Sequence, residues 1–570
     1  MQTNRVAPGT FARSHVLNES EETESRSVVA GLAACCAGID RLPRWVKTHV
    51  IHLDLLLVLL AVAGCSQDHS KRRSERPNIV IVLADDLGYS DLGCYGSEIA
   101  TPTLDALAKN GLQFQRFYNA ARCCPTRASL LTGLYPHEAG MGGMVSSISS
   151  EPDPGPYQGF LSKESATVAE LLRDAGYATY MSGKWHVGEK REHWPRMRGF
   201  DRYFGLISGG SSYFELDKDP ARLRLMALDD DLWEPPKDNF YMTDAFSDHA
   251  VDFVRDHAAQ SPEKPFLLYL SYTAPHWPLH ALPEDIRKYR GRYAIGWDSL
   301  REERYQRQLE IGLLPTGFRL SPRESGVPAW EEVADKADWE KRMEVHAAMV
   351  DRMDQGIGRL ISELKVNGML ENTLVLFLSD NGASPEDISG RNLHKPGSEI
   401  GYPGSYVAFK KPWAIAATTP FRRYKRWLEE GGIVTPLVVH WPAGLRAKGI
   451  TRETGHVVDI MATCLDLANV PYPETYRGTP LRPLRGKSLR PVFEGGIMDK
   501  NREWYWEHFG HRAMRKGKWK TISKAPEFHW ELFDLDADPT ELREVGLQNP
   551  QVLEAMIRDY AGWAKQVGVR

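Results

Sequence analysis

Eleven consecutive residues, Cys123-Cys124-Pro125-Thr126-Arg127-Ala128-Ser129-Leu130-Leu131-Thr132-Gly133, set two thiols and a guanidinium in front of strong helix formers. Pro125 cannot donate a backbone hydrogen bond and is best tolerated in the first turn of a helix. Cys123 is therefore expected at or just before a helix N-terminus, where unpaired amides and the helix dipole favour negative charge. An anion held there would meet the side chain of Cys123 and, one turn on, the guanidinium of Arg127. Free cysteines are also often plain core residues, so the thiols alone leave a structural reading open. A second group of reactive atoms lies far away in sequence. Asp85-Asp86 and Asp380-Asn381 are four oxygen donors with no thiolate or paired histidines among them. That donor set suits a hard cation, Ca²⁺ or Mg²⁺. Single Asp pairs also serve turns, but three carboxylates brought together without a cation would repel.

The elements that must deliver these groups are legible as strands and helices. Asn78–Ala84 is a nearly continuous apolar, β-branched run, as expected for a strand buried on both faces, and Asp85-Asp86 follow it. Thr373–Ser379 repeats the arrangement and delivers Asp380-Asn381-Gly382, while Pro265–Tyr272 runs into Thr273-Ala274-Pro275-His276-Trp277-Pro278. Helical patterns lie between them at Thr167–Ala175, Ala245–Ala259 and Trp339–Lys365, the last with Met343, Ala347, Val350, Ile357 and Leu360 or Ile361 on roughly one face. Alternating strands and helices predict an α/β fold with a large, mostly parallel sheet flanked by helices. Ligands in such sheets bind beyond the carboxyl ends of the strands, where the polar clusters fall. Residues 281–340, charged and Pro-punctuated, read as a surface excursion near the site. With Trp277 they suggest an aromatic-rimmed mouth for a phenyl or sugar ring, and core positions, the commoner role of Trp, are the equal alternative for several of them. Beyond a helix at His456–Leu467 and a connection at Pro471–Lys487, a smaller α+β unit is expected. Its strands are placed at Trp504–Trp506, Lys518–Ile522 and Trp530–Asp534, and its final helix near Pro550–Ala564. The expected division is a catalytic domain over 77–485 and an antiparallel-sheet domain over 486–570.

The 570 residues allow a large core plus a second unit, and a formal charge of −4 with no basic stripe gives no reason to expect nucleic acid as a partner. Seven cysteines at irregular spacing do not form a disulfide framework or a zinc pattern. Residues 1–64 read as a leader and 65–76 as a polar linker. Arg41, Arg44 and Lys47 precede an apolar core, Leu55–Gly64, that is short for a membrane span and suits a signal peptide. Val62-Ala63-Gly64-Cys65 resembles a bacterial lipobox, which predicts export to the periplasm or cell surface with a lipid anchor on Cys65.

Cys-x-Pro-x-Arg followed by Ala-Ser-Leu-Leu-Thr-Gly resembles the signature of the type I sulfatases, and the chain is most similar to their bacterial arylsulfatase branch. The resemblance spans roughly 78–570. It implies that a formylglycine-generating enzyme oxidises Cys123 to formylglycine, whose hydrate is the nucleophile. It also implies that Asp85, Asp86, Asp380 and Asn381, with the side chain at 123, hold one Ca²⁺. Gly183-Lys184-Trp185-His186-Val187-Gly188 resembles the family's second signature, in which Lys184 and His186 reach the sulfate. Pro275-His276-Trp277-Pro278 carries a further site histidine, His276, and Thr419–Lys425, followed by Glu430-Gly431-Gly432, carries a site lysine, Lys425. Arg127 completes the set. Cys124 stands where a small residue such as Ser is frequent. In the implied mechanism Asp380 assists attack on sulfur and Lys184 and the cation hold the sulfate oxygens. His276 with Lys425 protonates the leaving group, and His186 helps expel sulfate. Three carboxylates set against Lys184, Arg127, Lys425 and a divalent cation leave a pocket of positive sign, attractive to a small anion. The expected reaction is hydrolysis of an aryl or carbohydrate sulfate. Two alternatives stay open: a phosphonate monoester or phosphodiester hydrolase of the same fold, and an unmatured protein that binds sulfated glycans.

Overall fold

Strand β1 (Asn78–Ala84) shows how the core is laid out: Val80, Val82 and Ala84 enter one apolar layer, and Ile79, Ile81 and Leu83 the other. With a period of two, a strand apolar throughout must be covered on both faces. The computed structural model describes residues 76–145, 155–217 and 224–570. In it β1 lies within a ten-stranded sheet completed by β2 (Leu112–Tyr118), β3 (Ala178–Gly183), β4 (Arg202–Leu206), β5 (Met226–Leu228), β6 (Asp231–Trp233), β7 (Phe266–Ser271), β8 (Thr373–Ser379), β9 (Val434–His440) and β10 (Gly449–His456). The spatial order is β10-β2-β9-β8-β1-β7-β3-β4-β5-β6. From β8 to β4 the strands are parallel. β9 is antiparallel to both of its neighbours, and β5 and β6 form an antiparallel edge. Helices Pro102–Lys109, Met242–Gln260, Lys336–Val366 and Lys410–Ala417 cover one face, and Cys123–Thr132, Val168–Asp174 and Asp459–Leu467 the other. The fold class is the one expected: a large, mostly parallel sheet between helical layers.

Two expectations need correction. The helix expected from His456 begins at Asp459, because His456 closes β10 and donates its backbone N–H to the Asp459 carboxylate at 2.9 Å. The excursion 281–340 keeps many exposed charged residues, but its Trp297 and Trp330 turn inward instead of rimming a mouth. It forms helices Pro283–Lys288 and Gly296–Glu310, and its Trp297 and Trp330 pack into the core against Trp413. Its charge is accommodated by pairing, since fully buried Arg304 meets Asp91 at 2.7 Å and Glu98 at 2.9 Å. A buried guanidinium with two carboxylates is satisfied, so a charged sequence need not be a surface.

After a short ribbon of β11 (Thr475–Tyr476) and β12 (Thr479–Pro480), the smaller sheet comprises β13 (Glu503–His508), β14 (His511–Lys516), β15 (Trp519–Ser523) and β16 (Trp530–Asp534), in that order and antiparallel. The final helix, Pro550–Val567, packs Met556, Tyr560 and Trp563 against Met514 and Leu532 of this sheet. The sheet reaches into the large unit. Trp506 Nε1 donates to the carbonyl of Asn119 at 2.7 Å, and Arg515 donates to the Tyr118 hydroxyl at 2.7 Å. Lys520 lies fully buried between Glu430 and Glu541, 2.7 Å from each. Among the described residues no helix is long and apolar enough to cross a membrane. The leader core Leu55–Gly64 and Cys65 lie outside the described residues.

Candidate active site

The sheet's backbone ladder continues past the strand ends and fixes the first residues of the loops beyond them. Asp85 N–H donates to Ala274 O at 3.1 Å, Asp380 N–H to Ala84 O at 3.1 Å and Lys184 N–H to Ser271 O at 2.7 Å. Thus β1, β8 and β3 present Asp85-Asp86, Asp380-Asn381 and Lys184–His186 at one end of the sheet. His276 follows β7 at the same end, between two cis X–Pro bonds. Because β9 is antiparallel, its start, not its finish, lies here, and the loop before it brings in Lys425. That loop crosses Gly382 closely: a side chain on Gly382 would meet Gly431 O at 2.0 Å, and one on Gly431 would meet the carbonyls of Arg422 and Arg423 at 2.4 Å.

The thiol-bearing run is a helix, Cys123–Thr132, with every residue buried and Gly133 closing it in the left-handed conformation. No side chain caps its N-terminus. Cys123 is the first helical residue, so the unpaired amides of the first turn face the site, as the position of Pro125 predicts. One turn on, Arg127 Nη2 lies 2.8 Å from Asp380 Oδ2 and 3.4 Å from Asp85 Oδ2, and Nη1 donates to Lys184 O at 3.1 Å. The ligand atoms of Cys123, Cys124 and His186 lie within 4.8 Å of one another. A hydrogen bond from Cys124, acting against burial and aided by His186 and Lys184, holds the Cys123 thiol well below its ordinary value; burial pushes Cys124 the other way. These neighbours favour negative charge at 123 over 124.

The ten residues singled out from the sequence converge. Lys184 pairs with Asp85, Lys425 Nζ lies 2.8 Å from Asp86 Oδ2, and Asn381 Nδ2 donates to Asp86 Oδ1 at 2.6 Å. Asp86 N–H donates to Asp380 Oδ1 at 3.2 Å. His276 directs Nδ1 at the Trp277 carbonyl, 2.6 Å away, and turns Nε2 toward Asp86 Oδ2 at 3.6 Å. Asp86 and His186 hold left-handed backbone conformations, φ 66° and 59°, strain of the kind that collects at functional sites.

The donors fit a hard cation. Asp85 Oδ1 and Asn381 Oδ1 are buried acceptors with no hydrogen-bond donor among the described residues. Burial and the neighbouring Asp380 carboxylate push Asp85 up to about 7, the cost of crowding carboxylates that a cation would relieve. Asp85, Asp86 and His276 place ligand atoms within 4.8 Å of one another.

Sequence reasoning missed three contributors. Glu386 lies 3.0 Å from Arg122 and 3.3 Å from Lys425 and accepts from Trp277 Nε1 at 2.6 Å. Arg122 directly precedes the nucleophile candidate. Gly209-Gly210, after β4, pass so close to the histidines that a methyl on Gly209 would lie 2.4 Å from His186 Nε2 and one on Gly210 3.2 Å from His276 Cε1. The Gly-Gly pair just past a strand was the available signal for close backbone approach; Glu386 carried none.

Comparison with known proteins agrees with this architecture. The sulfatase family model matches residues 77–470, and that of the N-sulphoglucosamine sulphohydrolase C-terminal region matches 422–559. An uncharacterized sulfatase of Schizosaccharomyces pombe is 36% identical over 88% of this chain and 96% of its own. The arylsulfatase of Klebsiella aerogenes is 32% identical over 74% of this chain and 92% of its own. The crystal structure of Ps i-CgsB in complex with k-i-k-neocarrahexaose superposes with a TM-score of 0.64 at 27% identity, covering 86% of this chain and 93% of that one. With a family match over most of the chain and relatives above 30% identity along nearly their whole length, the chain belongs to the type I sulfatases and is a sulfuric ester hydrolase.

Proposed function

We propose that the chain hydrolyses aryl or carbohydrate sulfate monoesters, with residue 123 as nucleophile after oxidation of Cys123 to formylglycine by a formylglycine-generating enzyme, and with one Ca²⁺ held by Asp85, Asp86, Asp380 and Asn381. The observation that carries this reading is the convergence of the Cys123 helix N-terminus with Lys184, His186, His276 and Lys425 at one end of the sheet. A hydrated aldehyde at 123 supplies two hydroxyls on one carbon, one to attack sulfur and one to expel the sulfate, which a thiol does not offer. A cation in the carboxylate cage would offset charge on the sulfate oxygens, and the family resemblance adds the side chain at 123 to the groups that would hold it.

The chain's own residues account for the rest. Asp380, beside Arg127, accepts the proton of the attacking hydroxyl. Arg127 holds Asp380 and Asp85 in place and adds positive charge beneath the nucleophile. Lys184 neutralises sulfate oxygens as charge builds up. His276, fixed through Nδ1, turns Nε2 to the leaving oxygen and delivers a proton there, with Lys425 adding charge stabilisation. His186, beside residue 123, takes the proton of the second hydroxyl as sulfate leaves.

The test is turnover of aryl sulfate against aryl phosphate by one preparation, with mass spectrometry of the peptide carrying residue 123. Sulfate turnover is expected with that peptide lighter by about 18 Da, hydration aside. Full multiple turnover with only unmodified Cys123 would overturn the nucleophile, and preference for the phosphate ester would overturn the substrate.

A further inference from the structure

We propose that Glu386 is a positioning residue for the leaving-group side of the site, holding His276 and Lys425 at the oxygen that departs; the proposal rests on the sulfate-ester reading above. Glu386 belongs to the loop that follows Asp380-Asn381, and its carboxylate joins four groups from four segments. One oxygen lies 3.0 Å from Arg122 Nη2. The other accepts from Trp277 Nε1 at 2.6 Å and Ser384 Oγ at 3.1 Å and lies 3.3 Å from Lys425 Nζ. Burial alone would raise its pKa, but Lys425 and Arg122 outweigh burial and hold it well below the usual carboxylate range.

These contacts divide into two routes to the leaving oxygen. The first runs through Trp277. Its indole is held at Nε1 by Glu386, carries Arg391 over its face at 4.4 Å, and lies against the His276 ring at 4.4 Å between centroids. Its carbonyl faces His276 Nδ1 at 2.6 Å. Glu386 thus fixes the wall against which the imidazole is oriented. The second route is direct. Lys425 Nζ stands between Asp86 at 2.8 Å and Glu386 at 3.3 Å. Without the charge of Glu386 the ammonium would move onto Asp86, away from the leaving oxygen, and Arg122 would face it without the carboxylate between them. One carboxylate therefore serves both groups that assist departure, and it reaches the nucleophile helix only through Arg122, the residue before it, and the cation cage only through Lys425 on Asp86.

A positioning role of this kind has a signature that loss of stability lacks. Aid to the leaving group matters most when that group is basic. The experiment compares kcat of the matured enzyme and Glu386→Gln on 4-nitrophenyl sulfate and on phenyl sulfate, whose phenol has a pKa of about 10. Expected is a loss on phenyl sulfate at least about tenfold greater than on the nitrophenyl ester, part of the 10²–10⁴ that a positioned acid typically supplies. Trp277→Phe keeps a ring but removes the Nε1–H donor, and should give the same differential at smaller size. Circular dichroism melting checks that each variant is folded, and Trp277→Phe decides the matter if Glu386→Gln does not fold. Equal losses on the two esters would overturn the proposal and leave the sulfate-ester reading standing. A wild-type enzyme inactive on both would overturn that reading instead.

Discussion

Gly209→Ala is a small change with a large expected effect on rate. The added methyl would lie 2.4 Å from Nε2 and 2.6 Å from Cε1 of His186, where ordinary contact begins at 3.4 Å. Relief requires the imidazole to move by about 1 Å, a misplacement that costs on the order of 10²-fold in rate, or about 2.7 kcal/mol of transition-state stabilisation. The backbone offers little escape, because the His186 N–H is bonded to Ile207 O at 3.1 Å, two residues from Gly209 on the same segment. Overpacking should lower stability by about 1–3 kcal/mol. The assay is kcat on an aryl sulfate beside thermal melting, with two companions. Gly210→Ala places its methyl 3.2 Å from His276 Cε1, needs a shift of a few tenths of an ångström, and should lose less than about tenfold. Gly562→Ala projects into open space from the final helix and should gain about 0.5–1 kcal/mol in stability at unchanged rate. A folded Gly209→Ala enzyme with wild-type kcat would refute the claim that the placement of His186 beside residue 123 sets the rate.

Cys123→Ala should fold and bind the cation yet turn nothing over, while Cys124→Ser should remain active; steady-state assays of both decide which thiol matters. Chelation should abolish activity and added Ca²⁺ restore it, and Asp380→Ala should lose both cation and turnover, read by metal analysis and rate. Lys520→Met would leave Glu430 and Glu541 buried without their shared cation and should cost about 3–5 kcal/mol in denaturant unfolding. Burial depresses His456 to about 3 and His280 to about 4, so each is neutral in the fold and takes a proton on unfolding below about 6.5. Their contribution to stability is complete above that pH and is lost as pH falls toward 4. His456→Gln should flatten the slope by up to about 1.4 kcal/mol per pH unit, measured by denaturant unfolding across that range.

Strands β1, β7 and β8 were legible because each is an unbroken apolar run buried on both faces. β2 was not, since Gln113, Gln115 and Arg116 interrupt it, and those side chains are served by specific partners such as Cys94 O and Leu313 O. β9 carries Pro436, which argues against a central strand. The sheet accommodates it where the β2–β9 pairing is irregular, between Phe114 and Phe117. β10 is polar because it lies at the sheet edge. The tryptophans of 281–340 left mouth and core both open in the sequence, and the structure makes Trp297 and Trp330 core, with buried charge pairs such as Arg304 with Asp91 and Glu98 anchoring the segment. Within the site, residues inside a recognisable run were found. Glu386 and Gly209 lie in loops without periodicity, and their significance comes from partners more than a hundred residues away or on another strand's loop.

The burial of the Cys123 helix has a consequence in time. The residues that tie down the turn leading into it, Arg426 and Ile433 bonded to Ala121 and Asn119 and the Trp506 side chain bonded to Asn119 O, are made long after it. At about 5–20 residues per second, some 380 residues separating 123 from 506 correspond to roughly 20–80 s of synthesis. Throughout that interval the thiol stands in a chain that lacks the Trp506 contact and, for most of it, the contacts of Arg426 and Ile433. On the proposed reading, a formylglycine-generating enzyme would have its access then, and chains that finish folding first would carry an unconverted cysteine inside. On that reading the yield of active protein is a race between two clocks, and slowing translation between these positions should raise the converted fraction without altering any residue.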